Sequence, residues 1–256
     1  MSFEPLHSLH NRVAVITGGK GAIGFATAVR LAKLGARIVS LDRSGTEEVQ
    51  KKLDQLPGAA QPGWHLALCA SVTDSASLRE AAAQVQARAG RCDILVNSAG
   101  FTKAVPAADL EALDDDLFDA IVQSNLRGMF ASVRAFAPLL KAGGDGLIVN
   151  VSSIAGFTGA GSNLAYVAAK AGVDVLTKSL AKALAPQVRV LSVSPGVVDS
   201  SFVPGRGPDF NAKTAATMPL QRVGVVDDVA SAIEACATTM RFATGTRFVV
   251  DGGRSL

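Results

Sequence analysis

The 256-residue sequence predicts an α/β fold, a single doubly wound domain over 1–256 in which a seven-stranded parallel sheet carries helices on both faces. Three observations lead there. Short β-branched runs alternate with longer stretches of helical period along the chain. The strand runs are apolar on both faces, as a sheet covered on both sides requires. A glycine-rich turn joins the first strand to the first helix.

Taken in order, strands are expected at 13–16, 37–41, 64–68, 94–96, 147–151, 188–193 and 248–250, where Val, Ile and Leu dominate. Between them the apolar spacing predicts helices near 22–34, 46–55, 75–89, 115–141, 164–185 and 226–240. Each strand followed by a helix is the pattern of parallel strands joined by crossovers. The stretch 200–219 breaks this alternation, with Pro204, Gly205, Gly207 and Pro208 clustered in it, and reads as a mobile loop beside a substrate. No internal repeat or low-complexity segment interrupts the pattern.

Composition excludes several classes. With 25 basic and 22 acidic residues the net charge is only +3, and no basic block suits nucleic acid. Residues 1–12 carry Glu4, Pro5 and two histidines where a signal peptide needs an apolar core, and no run is long enough to span a bilayer, so a cytoplasmic protein is expected. Cys69, Cys92 and Cys236 lie far apart in apolar or helical contexts and read as buried structural residues. No His/Cys/Asp/Glu cluster suggests a metal, and His7, His10 and His65 have no readable partners.

The first strand runs into Thr17-Gly18-Gly19-Lys20-Gly21-Ala22-Ile23-Gly24, and a helix opens at once. Glycines at such a junction let the backbone turn tightly toward a pyrophosphate, while free amides at the helix start favour its charge; loop glycines also serve as plain turns. Asp42 ends the second strand at the spacing where an acid accepts hydrogen bonds from an adenosine ribose, or where an ordinary turn Asp sits. Arg43 beside it could instead pair with a 2′-phosphate.

Tyr166 is the chain's single tyrosine, and Lys170 follows four residues later on a helical stretch, so the two share a face. A phenol is a poor base at neutral pH, but an ammonium nearby favours its phenolate. Ser153, at the end of the fifth strand, reaches the carboxyl edge of the sheet, where open α/β sheets bind ligands. Its neighbour Ser152 points to the opposite face.

These motifs resemble the short-chain dehydrogenase/reductase family. The family's Thr-Gly-x-x-x-Gly-x-Gly maps onto Thr17 to Gly24, with Ala22 where the middle glycine is usual. Asn97-Ser98-Ala99-Gly100 is similar to its Asn-Asn-Ala-Gly, Pro195-Gly196-Val197-Val198-Asp199-Ser200 to its Pro-Gly segment, and Val249-Val250-Asp251-Gly252-Gly253 to its C-terminal signature. Ser153, Tyr166 and Lys170 match its Ser, Tyr-x-x-x-Lys triad, and Asn125 falls on its fourth catalytic position, where a helix asparagine holds a water that reaches the lysine. The match spans nearly the whole chain.

The resemblance implies a Rossmann fold and an NAD(P)-dependent enzyme acting on a secondary alcohol or ketone, with Tyr166 as general acid/base. It puts Gly18, Gly21, Ile23, Gly24, Asp42, Ser71, Val72, Asn97, Ala99, Gly100, Pro195, Gly196, Val198 and Ser200, besides Tyr166 and Lys170, against the cofactor. Asn97 equally suits a structural role in the sheet. Asp42 points to NAD rather than NADP. Two departures stand out: Ser71 replaces the acid that binds adenine, and Leu191 replaces an asparagine before the Pro-Gly segment. The alternatives are an NADPH-dependent 3-oxoacyl-thioester reductase and, outside enzymes, a dinucleotide-binding sensor. Phe101, Phe157, Val198 and Phe202 are candidates for an apolar substrate wall, and Arg206 and Lys213 for an anion contact. A homo-oligomer, tetramer or dimer, would bury the apolar surplus of 115–141 and 164–185, which includes Phe130, Phe136, Leu139, Leu140, Val173, Val175, Leu176 and Leu180.

Overall fold

The computed structural model describes residues 8–59, 61–205 and 207–256; His7 and Arg206 lie outside them. Strand β1 (Val13–Thr17) leads to helix α1 (Ala22–Lys33), β2 (Arg37–Asp42), α2 (Thr46–Leu53), β3 (Leu66–Cys69), α3 (Ser75–Ala89) and β4 (Ile94–Asn97). Helix α4 (Asp115–Val122) then passes through a π-helical turn (Gln123–Arg127) into α5 (Gly128–Ala142). There follow β5 (Gly146–Val151), α6 (Ala155–Thr158), α7 (Leu164–Leu184), β6 (Val188–Pro195), α8 (Phe210–Ala215), α9 (Val226–Ala237) and β7 (Arg247–Val250).

The seven strands form one parallel sheet in the order β3-β2-β1-β4-β5-β6-β7. All five residues of β1 are buried, which is why its run carries no polar alternation. One core packs α3, α5 and α7 on the sheet through Val85, Phe136, Leu140 and Val173. The other packs α1, α2 and α9 through Leu31, Leu53, Val229 and Ile233. Because β1 has β2 on one side and β4 on the other, the winding reverses between β1 and β4, and a crevice opens beyond their carboxyl ends.

The structure departs from the sequence expectations in five places. The predicted helix 115–141 is broken by the π-helical turn, which inserts a residue without disturbing the apolar period on either side. The stretch 200–219 contains α8 in addition to turns. Cys69 is exposed because it is the outward-facing last residue of edge strand β3, whereas Cys92 and Cys236 are buried. Phe136, Leu140 and Val173 belong to the core, so the apolar surplus shrinks to residues such as Phe130 at 40% and Val175 at 61% exposure.

Strand β3 begins at Leu66, two residues later than expected, because its entry is occupied by side-chain contacts. Trp64 lies under the Arg37 guanidinium, 4.8 Å from ring centre to Cζ. His65 is fully buried; its Nδ1 accepts from the Ile38 amide at 2.9 Å, which leaves Nε2 to donate to the Pro57 carbonyl at 3.3 Å. Burial holds this imidazole below its ordinary value of 6.5; the Pro57 carbonyl opposes that and the Arg37 guanidinium adds to it. The unfolded chain therefore binds more protons below pH 6.5, and stability falls as the pH drops through that window. Urea unfolding should show wild type losing on the order of 1 kcal/mol more than His65→Gln between pH 7.5 and pH 5. Parallel losses in the two proteins would refute this role.

Candidate active site

The strand ends dictate where the polar residues gather. Gly18, Gly21, Ile23, Asp42, Ser71, Val72, Ala99, Gly100, Asn125, Ser153, Tyr166, Lys170, Pro195, Gly196, Val198 and Ser200 all line one cleft of about 1430 Å³ at the carboxyl edge of the sheet. That volume exceeds the usual range for a single small ligand and accommodates a dinucleotide plus a substrate. Two expected residues lie elsewhere. Gly24 is buried behind the turn, where a Cβ would stand 2.3 Å from the Gly18 carbonyl oxygen, so it serves helix packing. Asn97 donates to Asn150 Oδ1 at 2.9 Å, and Asn150 in turn donates to Thr177; it braces β4, β5 and α7 beneath the cleft.

At one end, Gly18 adopts φ +67° and sits so close to Ala99 that a Cβ would lie 2.9 Å from its Cα. The turn releases the chain into α1, whose first amides meet no side-chain cap and no acidic residue. These features fit a pyrophosphate. Asp42 accepts from the Lys20 amide at 3.1 and 3.2 Å and from the Ser40 hydroxyl at 2.6 Å, so its carboxylate is fixed at the rim of β2. Ser71, by contrast, turns its hydroxyl to Thr73. A nicotinamide dinucleotide thus fits the glycine turn and Asp42, with no acid at position 71 for the adenine.

The other half is organised by α7. Asn163 caps it, accepting from the Tyr166 amide at 2.7 Å and donating to Thr102 and the Lys103 carbonyl, so the loop after β4 is tied to the helix at the tyrosine. Sequence reasoning passed over Asn163, although an asparagine directly before an apolar helical period is a start signal. One turn on, Lys170 is buried; its Nζ donates to the Val151 carbonyl at 2.8 Å and lies 5.4 Å from the Tyr166 ring centre. Burial pushes this ammonium down to about 8, against the opposing field of Asp174.

Ser152 is buried and donates to the Lys170 carbonyl, while Ser153, half-buried, faces the cleft and accepts from the Ala155 amide at 3.2 Å. Asn125, carried inward by the π-helical turn, donates from Nδ2 to the Phe101 and Ile121 carbonyls; its Oδ1 is buried with no donor among the described residues. A Cβ on Gly100 would lie 2.4 Å from that oxygen, so only glycine leaves it room.

Phe101, Val198 and Phe202 line the cleft, and the Phe202 ring centre is 6.0 Å from that of Tyr166. Phe157 does not: its ring packs under the Arg247 guanidinium at 3.9 Å. Lys213 is turned toward Asp209 at 3.9 Å and is largely solvated. Arg254, which the sequence reading did not single out, lines the cleft from the C-terminal turn. Among the described residues no helix is long and apolar enough to cross a membrane.

Residues 18–255 match the family profile described as Enoyl-(Acyl carrier protein) reductase. The chain is 37% identical over 246 residues to cis-4-hydroxycyclohexanecarboxylate dehydrogenase of Sinomonas cyclohexanicum, covering 94% of this chain and 96% of that one. It is 33% identical over 250 residues to the 3-oxoacyl-(acyl-carrier-protein) reductase FabG of Thermotoga maritima, covering 96% and 98%. The crystal structure of levodione reductase superposes with a TM-score of 0.88 at 28% identity, over 96% of this chain and 98% of that chain. Similarity along almost the full length, on a parallel seven-stranded sheet with the glycine turn and the Tyr-x-x-x-Lys helix on one cleft, means that the chain belongs to the short-chain dehydrogenase/reductase family and is an oxidoreductase of that family.

Proposed function

We propose that this protein interconverts a secondary alcohol and a ketone with NAD(H) as the preferred cofactor and Tyr166 as the group that moves the proton. The observation that carries the reading is the pairing of Tyr166 with the buried Lys170 ammonium on the cleft face of α7. Bound nicotinamide would supply or accept the hydride. In reduction the Tyr166 hydroxyl donates its proton to the carbonyl oxygen; in oxidation its phenolate takes the hydroxyl proton. Lys170 favours that phenolate electrostatically, and since Val151 occupies one of its three N–H groups, two remain for ribose hydroxyls. The Ser153 hydroxyl stabilises negative charge on the substrate oxygen. Asn125 Oδ1 supplies an acceptor for a water in contact with Lys170.

The fixed Asp42 carboxylate suits a ribose 2′-hydroxyl and repels a 2′-phosphate, which supports NAD. The second reading, an NADPH-dependent 3-oxoacyl-thioester reductase, draws on Arg43, whose exposed side chain lines the same end of the cleft, and on the relative from Thermotoga maritima. We further infer a single catalytic domain, a cytoplasmic location and a homo-oligomer that covers Phe118, Phe130 and Val175 on α4, α5 and α7.

Steady-state kinetics with both cofactors should give a higher kcat/KM with NAD(H), and Asp42→Ala should shift the ratio toward NADP(H) by about tenfold; a wild-type preference for NADP(H) would transfer the reading to the reductase. Tyr166→Phe should lower kcat by more than tenfold and leave the Kd for NAD within about twofold, because one oxygen is removed and the ring is kept. A variant keeping over about a tenth of wild-type kcat would mean that the proton travels by another group.

Lys170 also makes a stability prediction. The unfolded chain holds this proton up to about 10.5 and the folded protein releases it near 8, so stability rises with pH across that interval and the buried charge is a full cost below it. Lys170→Met, while inactive, should therefore unfold later than wild type at pH 7, by about 2 kcal/mol, with the advantage fading by pH 10.5. Thermal melts across that range read it; a less stable variant at pH 7 would overturn it.

A further inference from the structure

We propose that Arg254 is a specificity-determining contact that receives an anionic group, a carboxylate in the first place, on a substrate with an apolar body. The inference rests on the proposed alcohol–ketone chemistry of this cleft and names the class of molecule it takes. The described walls around Tyr166 on the side away from the glycine turn are uncharged, with apolar residues such as Val105, Pro106, Phe202, Pro204 and Phe210 interleaved with hydroxyls such as Ser162 and Ser201. Among the described residues Arg254 is the charged exception on that side besides the buried Lys170.

Other arginines of the fold are committed: Arg30 to Asp227 and Glu234, Arg222 to Asp228, Arg247 to Asp174. The Arg254 guanidinium meets no carboxylate or carbonyl among the described residues, and the residue is exposed and lines the cleft. Its nearest acid in sequence, Asp251, is spent on backbone: Oδ1 accepts from the Gly253 amide at 2.9 Å and Oδ2 from the Ser255 amide at 2.8 Å. Burial works to raise the Asp251 carboxyl, but the hydrogen bonds from Ser255 and Gly253 outweigh it and hold the group ionised and occupied. Those bonds also fix the backbone at position 254, and the Gly196 amide donates to the Val250 carbonyl at 3.0 Å, so the arginine is mounted on the same frame as the Pro195-Gly196 segment.

Asp42 is the only carboxylate among the described lining residues, and it belongs to β2, five strand spacings from β7, or about 24 Å along the sheet. At that distance it cannot neutralise Arg254. Ser153 follows β5, two spacings from β7, so the strands that lead to Ser153 and to Arg254 stand about 10 Å apart, a separation that suits a substrate body of one ring. A planar fork with several donors suits a carboxylate held by two parallel bonds.

The test uses the full chain saturated with NAD and titrated calorimetrically with cyclohexanecarboxylate and with neutral cyclohexanecarboxamide. Wild type should bind the acid about ten times more tightly than the amide, Arg254→Met should lose that ratio, and Arg254→Lys should keep part of it. The Kd for NAD measured on Arg254→Met should stay within about twofold of wild type. Equal binding of acid and amide by wild type, a preference that survives in Arg254→Met, or a loss of NAD affinity matching the loss of acid affinity would each overturn the assignment. Reduction of 4-oxocyclohexanecarboxylate by wild type and Tyr166→Phe is followed in parallel. Turnover that survives in Tyr166→Phe would sink the proton-transfer reading while the binding ratios still judge Arg254.

Discussion

The site is built around a cation that is almost entirely buried. An ammonium taken out of solvent is expensive unless protein groups replace its hydration, and Lys170 is met by one carbonyl at 2.8 Å, that of Val151. For that bond to exist, α7 must lie across the end of β5, and once it does the residue one turn earlier is delivered to the same face. Tyr166 therefore does not choose its position independently. Asn163 removes the remaining freedom, since its cap sets the residue at which the helix begins and its amide ties that start to Thr102 and Lys103. A helix starting one residue later would turn the phenol by about 100° away from the cleft.

The same economy governs the far end. The turn after β1 must pass Ala99 and receive α1 at distances no side chain allows, so Gly18 and Gly24 answer to packing before they answer to any ligand. The consequence is chemical all the same: a helix brought this close presents its uncapped amides at the crevice where the winding of the sheet reverses. Asp42 is treated similarly. Two hydrogen-bond donors, the Lys20 amide and the Ser40 hydroxyl, fix its carboxylate and so link the glycine turn to the tip of β2.

Much of this was legible in the sequence because the physics is local. Runs such as Val13-Ala14-Val15-Ile16 can only be strands covered on both sides, and a tyrosine and a lysine four residues apart on a helix must share a face. What stayed hidden depends on contacts between distant segments. The π-helical turn at Asn125 costs the apolar period a single residue, less than periodicity resolves, and its reason lies in the Phe101 carbonyl, 24 residues away. Asn97 carries a binding motif's spelling, yet its amide is claimed by Asn150 on the adjacent strand. Phe157 follows the serine of the motif but is drawn off by Arg247 from the last strand. His65, silent in sequence, closes the entry of an edge strand.

Charge is distributed along the cleft in a way that separates chemistry from selection. Ser153, Tyr166 and Lys170 stand just past a strand end and on a capped helix, where backbone hydrogen bonds leave little room for adjustment. The residues proposed to select ligands stand at the ends of β2 and β7: Asp42 closes β2 with Arg43 directly after it, and Arg254 lies on the turn past β7. Turns tolerate substitution because they carry little of the core, whereas Lys170 cannot be exchanged without altering the balance that holds α7. Under the proposed chemistry, one scaffold can in this way keep Tyr166 and Lys170 unchanged and alter what it accepts at either end. The Asp251 carboxylate shows how such an end is made dependable: by binding the amides on both sides of Arg254 it fixes the turn, and among the described residues it leaves the guanidinium of this cleft-lining arginine without a carboxylate partner.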